Sequence, residues 1–117
     1  MKVGLDFTVS ESGLPALITV RSMGGELIWY GKVYRRRNRL CFCSKSRNLI
    51  ITVRPFNDDF YEKSYFIKFG QRICYDIRLD FDFTAKNEKE SLQTFYLYDG
   101  NYRFLVAQAE LTFSAVY

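Results

Sequence analysis

The chain has 117 residues, 26% of them charged and 18% aromatic, with a formal net charge of +4 and no histidine. Such a length suits one domain that buries about 65% of the unfolded chain's surface, and no run approaches the ~18 apolar residues of a membrane-spanning helix. Without histidine there is no Ser-His or Cys-His mechanism, no imidazole zinc site, and no general base of the commonest kind.

Lys2–Val9 alternates, with Val3, Leu5, Phe7 and Val9 on one side. That pattern is a strand and not the continuous apolar region of a signal peptide. Ser10-Glu11-Ser12-Gly13 reads as a turn and Ala16–Ser22 as a second strand. Met23-Gly24-Gly25-Glu26 is a hairpin signal, because glycine supplies the positive φ of tight turns. In the third strand, Leu27–Tyr34, Leu27, Trp29 and Val33 share one face; Ile28, Tyr30, Lys32 and Tyr34 share the other. Arg35–Arg39 reads as a connection, Leu40–Ser44 as a short strand and Lys45–Asn48 as a turn.

Leu49–Phe56 follows as a strand with Leu49, Ile51 and Val53 inward; Pro55, which cannot donate to a ladder, belongs at a strand end or edge. After the loop Asn57-Asp58-Asp59 comes a strand over Tyr61–Phe69. The longest alternation is Ile73–Phe83. Ile73, Tyr75, Ile77, Leu79, Phe81 and Phe83 oppose Cys74, Asp76, Arg78, Asp80 and Asp82, which marks it as the central strand of the core. Thr84–Ser91 is polar and reads as a loop or short helical turn. The strands Leu92–Tyr98 and Tyr102–Tyr117, joined at Asp99-Gly100-Asn101, complete the chain. Eight or nine short strands without a long helical pattern predict an all-β fold, a single antiparallel β-sandwich over residues 1–117.

Several of these segments resemble the transthyretin-like sandwiches, the group that includes carboxypeptidase regulatory-type domains. They are Ala16–Val20, Gly24-Gly25-Glu26-Leu27, Gly31-Lys32-Val33-Tyr34, Leu40–Ser44 and Leu49–Pro55, and the resemblance runs to about Phe83. It implies a seven-stranded Greek-key sandwich acting as a structural or accessory module, with no catalytic residues to carry over. The chain departs from the family at Lys45-Ser46-Arg47-Asn48, where an Asp-Gly-type turn is usual. An immunoglobulin-like topology is the rival, although its Cys…Trp…Cys spacing is missing.

Charge is uneven along the chain. Residues 1–54 hold ten Lys/Arg and three Asp/Glu (+7), whereas residues 55–117 hold seven and ten (−3). This points either to a polyanion-binding surface or to two faces that offset each other. The basic candidates are Lys32, Arg35, Arg36, Arg37, Arg39 and Arg47, with Trp29, Tyr30 and Tyr34 nearby. Cations neutralise phosphates and exposed rings stack on bases, so this mixture suits single-stranded nucleic acid, anionic lipid or an acidic partner. The bland alternative is a solvated hairpin tip whose charges discourage edge pairing. Tyr30, Tyr34, Tyr96 and Tyr98 are candidate partner-contacting aromatics; buried between sheets, they would be core.

Other chemistries are weakly signalled. Asp76, Asp80 and Asp82 share a strand face and could serve as an acid pair or cation site, but a solvated face interrupted by Arg78 explains them without either. Asn57-Asp58-Asp59 lacks the ligand count of a calcium loop and reads as a polar turn. Cys41, Cys43 and Cys74 are an odd number of thiols, which favours a reducing, cytoplasmic-type compartment; a Cys41/Cys43–Cys74 disulfide and a place within a longer cell-surface protein stay open. The expectation is a non-enzymatic structural or protein-interaction module without cofactor or metal. Polyanion or nucleic-acid binding through Arg35–Arg39 is the alternative.

Overall fold

The computed structural model describes residues 1–57, 59–60 and 62–83, and the backbone of a strand at 109–114. Eight strands are described: β1 (Lys2–Val9), β2 (Ala16–Ser22), β3 (Leu27–Val33), β4 (Arg37–Cys43), β5 (Asn48–Pro55), β6 (Glu62–Lys68), β7 (Cys74–Phe81) and β8 (Ala109–Ser114). A short 3₁₀ turn, Glu11–Gly13, links β1 to β2. Two sheets result, one in the order β4-β1-β7 and the other in the order β3-β2-β5-β6-β8. The fold is all-β, with two sheets packed as a sandwich. The expected strand Leu92–Tyr98 lies outside the described residues, as do Thr84–Ser91, Tyr96, Tyr98 and, apart from β8, the expected strand Tyr102–Tyr117.

Alternation places the core. Val3, Leu5, Phe7 and Val9 of β1 face Ile18, Val20, Leu49, Ile51 and Val53 of the other sheet, and all are buried. Rings close the middle: Phe81 meets Phe7 edge-on at 6.3 Å and Tyr65 at 5.2 Å. These edge-to-face arrangements put ring hydrogens against π-faces, the geometry aromatic pairs prefer. On β3, Trp29 lies over Gly31, so a side chain at position 31 would collide with the indole. The ring fills the space the glycine leaves.

Four expectations are corrected. The sandwich is not wholly antiparallel, because β1 pairs with β7 in parallel, Leu5 opposite Ile77 and Phe7 opposite Leu79. Consequently β7 is not the central strand: β1 holds that position, between β4 and β7. Ile73 is not inward either. It precedes β7 in the β6–β7 loop and is 77% exposed, whereas Tyr75, Ile77, Leu79, Phe81 and Phe83 are buried as the alternation requires. Leu27 is likewise 43% exposed, because the β2–β3 register slips between Val20 and Arg21 and takes Leu27 off the inner face.

Strand β4 also begins earlier than expected. Arg37, Asn38 and Arg39 pair with Thr8, Phe7 and Asp6, so only Tyr34, Arg35 and Arg36 remain as the connection between the sheets. A run of arginines looks like a loop in sequence. Here alternate members simply take the wet side of an edge strand.

Candidate functional site

The outward face of the three-stranded sheet is ordered in cross-strand rows. Arg39, Asp6 and Arg78 form one, Cys41, Gly4 and Asp76 the next, and Cys43, Lys2 and Cys74 the last. Lys2, Arg37, Arg39 and Arg78 stand among Asp6, Asp76, Asp80 and Asp82, four charges of each sign. Arg39 is the organiser. Its Nη1 donates to Asp6 Oδ2 at 2.9 Å and its Nη2 to Asp76 Oδ1 at 3.1 Å, and these bonds raise its already high pKa further. Asp80 accepts from Thr8 Oγ1 at 2.6 Å and lies 3.9 Å from Arg78 Nε. A hollow of about 370 Å³ beside them is lined by Arg36, Arg37 and Arg78, but also by Asp80 and Asp82. The three aspartates thus sit among cations, the arrangement of a mutually neutralised wet face. Among the described residues, no three Cys, Asp or Glu side chains converge on a metal-sized site.

The expected basic cluster does not hold together. Arg39 is committed to Asp6 and Asp76. Arg47 donates to the backbone carbonyls of Gly70 and Arg72, at 2.5 and 2.8 Å, and so ties the β4–β5 turn to the β6–β7 loop. Arg35 and Arg36 are exposed at the β3–β4 corner, and their carbonyls accept bonds from Asn38 Nδ2 and the Val9 amide. Lys32 lies elsewhere, on the outward face of the larger sheet, opposite Leu17.

That larger face has a different character. Its rows are Lys32–Leu17–Arg54, then Tyr30–Thr19–Thr52–Ser64, then Arg21–Ile50–Phe66. Tyr30 is 65% exposed, and Leu17, Ile50 and Phe66 are half-buried on a surface with no third layer among the described residues. Thr52 and Ser64 share a 2.7 Å hydrogen bond across the strands. Arg21, Lys32, Arg54 and Lys68 surround this strip, with Glu62 the one acid among the described side chains of the face. Among the described side chains, four cations stand with one carboxylate here, against four and four on the other sheet. Among the described side chains the excess positive charge therefore lies on the larger sheet, a relationship that counting along the chain cannot reveal.

The Cys41/Cys43–Cys74 disulfide that the sequence left open is not formed. Cys41, Cys43 and Cys74 are free and exposed, and Lys2 stands between Cys43 and Cys74 in their row. Two strand spacings separate those Cα atoms by roughly 9–10 Å, beyond the reach of a disulfide. At Asn57, the side-chain Oδ1 accepts the Asp59 amide at 3.0 Å, the bond of an Asx turn; Asp58 lies outside the described residues.

One charged residue inside the sandwich escaped the sequence reading. Lys63 takes an inward position on β6, where it donates to the Asp82 carbonyl and lies 5.3 Å from the Phe83 ring centroid. Tyr65, two residues on, donates its hydroxyl to the Asp80 carbonyl at 2.8 Å. Burial, assisted by the Asp80 charge, pushes that hydroxyl up to about 12. The signal for Lys63 was its place two residues before the inward Tyr65.

Comparison with family models, curated proteins and solved structures gave no match.

Proposed function

We propose that this chain is a non-catalytic β-sandwich module that works by docking an acidic protein partner on the outward face of its five-stranded sheet. The observation that carries this reading is the strip of Tyr30, Leu17, Ile50 and Phe66 bordered by Arg21, Lys32, Arg54 and Lys68. Protein interfaces combine an apolar centre with a polar rim, and aromatic anchors dominate their energetics. The four cations among the described side chains of this face favour a partner rich in Asp and Glu, chiefly through association rate and orientation. The Greek-key, transthyretin-like resemblance fits the same role, since it implies an accessory module.

The test is binding of acidic peptides, selected by display against the folded protein and measured at low salt. Tyr30→Ala should weaken the complex about tenfold, in the range of an interfacial anchor. Unchanged affinity in both Tyr30→Ala and Lys32→Glu would reject this face. A second reading, a polyanion at the corner, draws support from the exposure of Arg35, Arg36 and Arg37. It predicts heparin binding that collapses between low and physiological salt and is lost in Arg35→Glu/Arg36→Glu.

A further inference from the structure

The ends of the sandwich differ as much as its faces. At one end meet the β2–β3 hairpin, the β4–β5 turn and the β6–β7 loop. Backbone bonds join them: Met23 N–H to the Asn48 carbonyl, Phe69 N–H to the Arg47 carbonyl, and Lys2 N–H to the Ile73 carbonyl. Arg47 adds its two bonds to Gly70 and Arg72, so the loops are held as a unit. On this platform Ile73 is 77% exposed, Met23 55% and Leu27 43%. Half of the large apolar side chains described as exposed gather here. Nothing in the core requires them to be apolar.

The same end carries exposed Lys2, Arg21, Lys45, Lys68 and Arg72, with Glu26 as an acid, among the described residues. At the opposite end Arg35 and Arg36 stand with the three acids Glu11, Asp59 and Asp82, so no cationic excess gathers among these residues. Among the described residues the cations are therefore concentrated at one end, and that end carries the exposed aliphatic tips, whereas the exposed rings of Tyr34 and Phe56 lie at the other.

We infer that this end docks on an anionic lipid surface, with Met23 and Ile73 entering the headgroup–acyl boundary and the surrounding lysines and arginines facing lipid phosphates and carboxylates. Three features select a membrane over other polyanions. The exposed apolar groups are aliphatic, suited to acyl chains and not to base stacking. They sit on separate loop tips, which a continuous surface can meet together. A cation next to an anionic bilayer contributes favourably and additively, so among the described residues the five cations outweigh Glu26. The inference does not rest on the sheet-face reading; the two share Arg21 and Lys68, and the variants at Met23, Ile73 and Lys45 separate them.

The test is cosedimentation of the full chain with phosphatidylcholine vesicles, with and without phosphatidylserine. Binding is expected only with phosphatidylserine, and it should fall steeply from low to physiological salt. Ile73→Asp should weaken it about tenfold, the effect of losing one buried aliphatic side chain, and Lys45→Glu about fivefold or more. Met23→Asp serves as a second tip variant, and an unshifted thermal melt in each confirms that the fold is intact. Arg35→Glu at the far end and Tyr30→Ala on the sheet face should leave vesicle binding unchanged. No binding to phosphatidylserine vesicles at low salt overturns the inference. So does unchanged binding in both tip variants, an equal loss in Arg35→Glu, or capture by heparin without capture by vesicles.

Discussion

The Arg39 guanidinium reaches Asp76 across the backbone of Gly4, with Nη2 3.1 Å from Oδ1. The pair spans both outer strands of the three-stranded sheet, and it is possible only because β1 carries no side chain at that point. A Cβ on Gly4 would stand 2.7 Å from Arg39 Nη2 and overlap the Asp76 carboxylate. Both obstacles are ends of flexible, exposed side chains, so they can swing away.

Gly4→Ala should therefore break the Arg39–Asp76 pair with little effect on stability, within about 1 kcal/mol, because exposed ion pairs contribute little and glycine in a strand is itself unfavourable. Gly13→Ala should behave differently. Its Cβ would meet the Phe83 ring, with Cγ at 2.9 Å, and that ring is 1% exposed. Overpacking there should cost about 1–3 kcal/mol. Chemical denaturation of the two variants side by side checks the contrast; equal destabilisation would refute it.

Leu79→Asp should abolish folding, since Leu79 is 3% exposed and an unpaired carboxylate there costs a large share of the ~5–15 kcal/mol that holds a domain. Ile73→Asp, only six residues earlier, should melt like the wild type. A cooperative, stable Leu79→Asp protein would contradict the assigned core.

This contrast shows what the sequence could and could not disclose. The inward set from Tyr75 to Phe83 was legible because a period of two leaves no alternative facing for five successive apolar positions. Ile73 obeyed the same arithmetic but lies in the β6–β7 loop, where alternation has no meaning. Parallel pairing of β1 with β7 was illegible, because pairing partners are not encoded within a single strand. Arg39 and Arg47 looked like ligand-binding cations, since their partners, Asp76 and the carbonyls of Gly70 and Arg72, are distant in sequence. The basic face of the larger sheet draws Arg21, Lys32, Arg54 and Lys68 from four strands, so no local run announced it.

Tyr65 gives a pH dependence. Its folded-state pKa, about 12, lies above the ordinary tyrosine value near 10. The neutral hydroxyl is favoured by the fold, so its contribution is complete below pH ~10 and is lost as pH rises toward 12. Tyr65→Phe should lose about 1 kcal/mol at neutral pH, from the bond to the Asp80 carbonyl. It should also show a shallower decline between pH 10 and 12. Parallel alkaline profiles for the two proteins would refute this assignment.

All three cysteines should react rapidly with a thiol reagent in the native protein, since each is exposed and free. Fewer than three fast thiols per folded chain under reducing-agent-free conditions would contradict the separation of Cys43 and Cys74 by Lys2.

The central claim is that the outward face of the five-stranded sheet is the binding surface. An amide chemical-shift map with a display-selected acidic peptide tests it most directly. The account predicts that perturbations concentrate at Thr19, Tyr30, Lys32, Ile50, Thr52, Arg54 and Phe66. A map centred instead on Asp6, Arg37 and Arg78 of the three-stranded sheet would contradict it.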